Sequence, residues 1–168
     1  MFEYIAKNVG IRRAEGEYVL ATNPDLLYSE ELIGLLASRR LSRDCFYRVD
    51  RYDVGSLVPV DLCVDEQLKF CGRQAFRVAT IDGTVSVQKF PHSLRRLARS
   101  LLLIARKIVG RLRNQPLWPR LHTNAAGDFF LMARQHWHDI RGYPEFKSHS
   151  FIDGHVCFLA VALGLQQV

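Results

Sequence analysis

Carboxylates stand in two stretches of this chain where a folded protein could put them to chemical use. The first follows Tyr18-Val-Leu-Ala-Thr22, a short apolar β-prone run that ends in the turn residues Asn23, Pro24 and Asp25. An acid just past the carboxyl end of a buried strand lies in the crevice where open α/β sheets bind ligands. There Asp25 can hold magnesium or manganese between two phosphates, because hard oxygen ligands suit those ions and the metal neutralises charge on a leaving group. The same carboxylate can instead cap its own turn through an Asx hydrogen bond. In the second stretch Gly127-Asp128 precedes Phe129–Ala133, and Asp153 follows the turn Arg141-Gly-Tyr-Pro-Glu145. If the two stretches meet over one sheet, Asp25 and Asp153 face a common cleft, one acid holding the metal and the other serving as base.

Other reactive side chains carry less. His136 and His138 point to different faces of a helical turn, so with His149 and His155 they converge on one transition metal only if the segment is extended. Cys157 sits between Val156 and Phe158, which reads as a core thiol and not a nucleophile. Trp137 has two readings, a stacking surface for a sugar ring and a packed core residue.

The elements that must position these groups follow from periodicity. Phe2, Ile5, Ala6, Val9 and Ala14 recur at near-helical spacing up to Gly16. Continuous hydrophobicity from Tyr18 to Thr22 suits a strand covered on both faces, as in a mostly parallel sheet. Ser29 with Glu30 and Glu31 caps a helix carrying Leu32, Ile33, Leu35 and Leu36, and Cys45–Val49 reads as the next strand. This order argues for an α/β sandwich. Residues 55–120 read as an insertion. It contains a short helix from Asp65 to Phe70, a hairpin around Ile81-Asp82-Gly83-Thr84, and an amphipathic helix over 93–113. Phe129–Ala133 reads as a strand, Gln135–Arg141 as one or two helical turns, and Ile152–Leu165 as a terminal helix.

Across 168 residues, 48% are hydrophobic and 24% charged, the balance of one folded domain. That composition excludes a disordered or collagen-like chain. Four widely spaced cysteines with no Cys-x-x-Cys pair exclude a zinc ribbon and point to reduced thiols. Glu3 interrupts the start and no apolar segment has the length of a leader or a membrane span, so the expected location is cytoplasmic, with peripheral contact at the inner face of a membrane. The net charge of +6 is local. Between Asp82 and Asp128 no acid occurs, while Lys89, Arg95, Arg96, Arg99, Arg106, Lys107, Arg111, Arg113 and Arg120 do, leaving the remainder mildly acidic. The leucine face of 93–113 opposite its arginines suits an ordinary solvated helix face or an anionic membrane surface. No aromatic residue interleaves the charges between Phe90 and Trp118, which disfavours nucleic acid.

Taken in order, Asn8-x-Gly10-x-x-x-Ala14, the strand leading to Thr22-Asn-Pro-Asp25, Gly127-Asp128-Phe129 with Arg134 and Trp137, Arg141-Gly-Tyr-Pro-Glu145 and Asp153 resemble bacterial nucleotide-sugar-dependent glycosyltransferases of the A-type fold, specifically family-two-like proteins. The resemblance covers about residues 2–54 and 121–166. It implies part of that α/β fold, a mixed sheet flanked by helices with a basic helical insertion, and transfer of a sugar from a nucleotide donor to a glycan, lipid or surface-polymer acceptor. Asn23-Pro24-Asp25 stands for an Asp-x-Asp-type motif, so Asp25 would hold a divalent cation, Mg or Mn, although the motif's first acid is replaced by Asn23. Asn8, Gly10, Asn23 and Asp25 would lie near the nucleotide sugar, and Asp128, Trp137 and Glu145 near the acceptor. Asp153 stands where the family's catalytic base falls.

Such enzymes grip the nucleotide base with a strand and loop ahead of the helix that opens this sequence, and carry a further metal-binding His beyond its end. The resemblance therefore implies the central part of such a domain, binding UDP- or GDP-sugars weakly and turning them over negligibly. The rival expectation is a non-catalytic module whose basic helix docks on anionic membrane or nucleic acid.

Overall fold

A computed structural model describes residues 3–87, 120–146 and 151–168. The expected amphipathic helix over 93–113 lies outside the described residues. The chain gathers into two compact units, one formed by residues 1–49 with 121–168, the other by 50–120.

The first unit is built on a mixed four-stranded sheet. Helix α1 (Glu3–Arg13) leads to β1 (Tyr18–Thr22), α2 (Glu30–Ala37) and β2 (Cys45–Tyr47). After the second unit the chain returns as β6 (Phe129–Ala133), α4 (Arg134–Asp139), α5 (Ile152–Ala162) and β7 (Gln166–Gln167). The strand order is β1-β6-β2-β7. β6 runs antiparallel to both neighbours, and β2 and β7 are parallel. The mostly parallel sheet suggested by the continuous apolar run of β1 is therefore not formed. That run reflects cover on both faces, which β1 receives as an antiparallel edge strand, Val19 and Ala21 in one cluster and Tyr18 and Leu20 in the other.

β6 shows how both faces are filled. Phe130 and Met132 point to one side, among Tyr4, Ile11, Val19, Trp137, Val156 and Ala160 of the larger core. Phe129 and Leu131 point to the other, where Tyr28, Leu32 and Leu36 cover them. Helices thus flank the sheet on both sides, the mixed α/β arrangement expected. α2 starts where Ser29 predicts it, the Ser29 hydroxyl accepting from the Leu32 N–H at 3.3 Å.

The second unit is an antiparallel sheet of β3 (Arg51–Val54), β4 (Ala75–Thr80) and β5 (Gly83–Ser86) with α3 (Val64–Gln74). The hairpin is present, but Thr80 pairs with Gly83, so Ile81-Asp82 form its two-residue loop. β3 and β7 escape the periodicity reading, being too short for a pattern to register. α3 outruns its expected span, upstream to Val64, where Glu66 accepts from the Cys63 N–H at 3.2 Å, and downstream to Gln74.

Candidate functional site

The site is a product of strand register. Because Thr22 pairs with Phe129, the residues just outside the ladder, Asn23 and Asp128, fall side by side. The Asn23 amide donates to Asp128 Oδ1 at 2.7 Å, and the Thr22 hydroxyl donates to the Asp128 carbonyl at 2.8 Å. Lys7, on α1, closes this edge from below. Its ammonium donates to Asn23 Oδ1 at 2.7 Å, to the Gly127 carbonyl at 2.6 Å, and pairs with the Glu3 carboxylate one helical turn earlier. Three acceptors match its three protons.

Asp153, in the first turn of α5, lays its carboxylate against the same Gly127. A β-carbon at position 127 would fall 2.6 Å from Asp153 Oδ2. The side chain is half-buried, and among the described residues no donor is hydrogen-bonded to its carboxylate. Burial raises its pKa; Glu3 and Asp128 push the same way, while Lys7 and Arg48 oppose them.

Arg48, just past β2, is buried and fixes the loop that delivers Gly127 and Asp128. Its guanidinium donates to the carbonyls of His122 at 3.3 Å, Ala126 at 3.0 Å and Asn124 at 3.1 Å. It also lies over the Phe130 ring. His122 is buried beside it, its pKa pushed down to about 4 by desolvation and then by Arg48, so its imidazole is neutral at physiological pH. Neither Lys7 nor Arg48 was singled out by motif reasoning. The available signals were a charged residue directly after the buried Cys45-Phe-Tyr strand and the i,i+4 pair Glu3 and Lys7 on α1.

Other expected site residues serve the scaffold. Asn8, expected near a nucleotide, is buried and fully committed: its amide donates to the Tyr143 carbonyl and Glu145 Oε1, both at 2.9 Å, and its oxygen accepts from the Tyr143 N–H at 2.7 Å. Glu145, expected near an acceptor, completes this clamp with Arg12 at 3.0 Å, and the hydrogen bonds from Asn8 and then Arg12 lower its pKa. Trp137 is wholly buried between Phe130 and Tyr143 and donates to the Val19 carbonyl at 3.0 Å, so neither ring face is open to a sugar. Gly10 is exposed on the face of α1 away from Asn8, with nothing within 4 Å of an added β-carbon. Cys157 is core, its thiol pushed up to about 11 by burial.

Asp25 is exposed on the turn, and no hydrogen bond or ion pair to a described residue draws its carboxylate toward Asp153. Asn23, two residues earlier, joins the cluster instead. Among the described residues no group of three or more His, Cys, Asp or Glu side chains could hold a metal ion. The Asn23 oxygen accepts from the Lys7 ammonium, so of the Asn23-Pro24-Asp25 turn the Asp25 carboxylate alone is left for a divalent cation. The described residues thus give the expected Mg or Mn no preformed all-protein site, and donor phosphates and water would have to complete its shell.

The Tyr143 hydroxyl is buried and has no hydrogen-bond partner among the described residues. Burial, and next Asp153, raise its pKa. An unsatisfied buried hydroxyl costs about 1–3 kcal/mol, so Tyr143→Phe is expected to leave stability unchanged or to raise it in urea unfolding. A loss above about 1 kcal/mol would mean that the hydroxyl has a partner.

Among the described residues no helix is long and apolar enough to cross a membrane. Comparison of the chain with protein-family models, with curated proteins and with solved structures finds no match.

Proposed function

We propose that the chain carries the acceptor-activating part of a nucleotide-sugar-dependent glycosyltransferase, with Asp153 as general base. The observation that supports this reading is the state of Asp153: half-buried, raised in proton affinity, and without a hydrogen-bond donor among the described residues, at a polar strand edge. A carboxylate with a purely structural role is normally paired or held by N–H donors. A poised base needs its lone pairs open and its pKa moved toward the working pH. The mixed sheet with helices on both faces supports the A-type fold at the level of its layers.

In the proposed reaction a glycan, lipid or surface-polymer hydroxyl gives its proton to Asp153 as its oxygen bonds to the anomeric carbon of the donor. The bond from that carbon to the diphosphate breaks, and the nucleoside diphosphate leaves with the electron pair. Of the residues that resemble donor ligands, Asn8 and Asn23 are committed to protein partners and Gly10 has no side chain. Asp25 is left to accept hydrogen bonds from donor hydroxyls.

The test is donor contact measured by saturation-transfer NMR on the full chain, with UDP-glucose and GDP-mannose, in EDTA and in Mn²⁺. Binding of one donor that is equal in both conditions and survives Asp153→Asn is expected, because the base acts on the acceptor. Contact with neither donor would overturn the reading, and contact only with Mn²⁺ would return a metal to the site.

A further inference from the structure

Lys7 and Asp153 both lie against one residue, Gly127. The ammonium holds the carbonyl of Gly127, while the Asp153 carboxylate rests against its α-carbon. Lys7 has no donor to spare for a ligand, since Glu3, Asn23 and Gly127 take all three. Its side chain is 9% exposed, so its charge is only partly screened. A largely covered cation whose donors are all taken, close to a carboxylate that has no hydrogen-bond donor among the described residues, acts on that carboxylate through space.

We propose that Lys7 is a positioning residue for Asp153: its ammonium is the internal counter-charge that keeps the carboxylate ionised and seated on Gly127. The proposal rests on the reading of Asp153 as the base. The groups that interact electrostatically with Asp153 are Glu3 and Lys7 from α1, Arg48 from the segment after β2, Asp128 from the loop before β6, Tyr143 from the turn after α4, and Cys157 of its own helix. Two of these are cations. Both are held by three protein acceptors, and Lys7 opposes the effect of burial on Asp153 more strongly than Arg48 does.

The same arrangement gives Glu3 a defined part. It holds Lys7 from the solvent side and contributes a negative charge that works against ionisation of Asp153. Changes at Lys7 and Glu3 must therefore move Asp153 in opposite directions.

The experiment is a pH titration of the Asp153 carboxyl carbon by ¹³C NMR in the full chain without donor. Lys7→Met is expected to raise the midpoint by about one pH unit. Lys7→Arg keeps the charge and is expected to hold the midpoint near that of the parent. Glu3→Gln, at an exposed side chain, is expected to lower it, and it carries the test should Lys7→Met fail to fold. Equal midpoints for Lys7→Met and Lys7→Arg, or an unmoved midpoint in Glu3→Gln, would overturn the proposal. Moving midpoints without donor binding would remove the transferase reading alone; fixed midpoints with donor binding would remove this inference alone.

Discussion

Gly127→Ala is expected to unseat Asp153 while leaving the fold nearly as stable as before. The new β-carbon would lie 2.6 Å from Oδ2 and 2.9 Å from Cγ of Asp153, so one of the two must move. The obstacle is the end of a side chain that no hydrogen bond to a described residue restrains, and the backbone at 127 does not need the left-handed region. The carboxylate therefore swings outward into water. Its titration midpoint is expected to fall toward that of an ordinary aspartate, because burial is the largest cause of its elevation. On the proposed reading, acceptor activation should fall with it, by about a hundredfold or more, the usual contribution of a positioned general base. Carbon NMR and urea unfolding on one sample check both halves. A large stability loss with an unchanged Asp153 midpoint would show that the backbone, and not the carboxylate, gives way.

Gly142→Ala is expected to do the opposite and cost the fold about 3 kcal/mol. Gly142 has φ +76°, where an L-residue is strained by about 1–2 kcal/mol. Its β-carbon would also fall on Asn8 Oδ1, deep inside van der Waals contact. Here the obstacle is held: Asn8 is buried and bonded to both backbone groups of Tyr143 and to Glu145. Moving it sacrifices three hydrogen bonds at about 1 kcal/mol each, offset in part by relaxation. Asn8→Ala in the same background removes the clash, so the two losses should add to less than their sum. A Gly142→Ala loss below about 1 kcal/mol would show that the turn re-forms around the methyl group.

The two glycines mark how far the sequence can be read. Local signals are sound where one segment decides its own structure, as for β1 and the Ser29-capped start of α2; α1 forms too, but it buries Tyr4, Asn8 and Ile11 and leaves Ala6 and Val9 of the expected apolar spacing exposed. The neighbour of β1 does not follow from local signals, because pairing with β6 depends on a segment far along the chain. That register decides that Asn23, and not Asp25, meets Asp128. The motif around Asn8 is conspicuous, yet its amide closes a turn; whether a polar side chain on a helix faces ligand or protein is decided by what packs against it. Asp153 stands out in both readings. Lys7 and Arg48 are typical surface residues by type, and only the structure shows Arg48 buried, Lys7 largely covered, and each held by three acceptors.

The pairing of β1 with β6 also governs how this unit comes to exist in time. Thr22 and Phe129 are roughly a hundred residues apart, so the β1–β6 ladder is a non-local contact of the kind that slows folding. The cost in stability is mild, since each doubling of a closed loop adds only about 0.6 kcal/mol. Lengthening or shortening the chain between Val49 and Leu121 should therefore alter the folding rate far more than the equilibrium. Lys7, Asn23, Asp128 and Asp153 come from both sides of that gap, so their cluster is assembled late, only when the ladder closes.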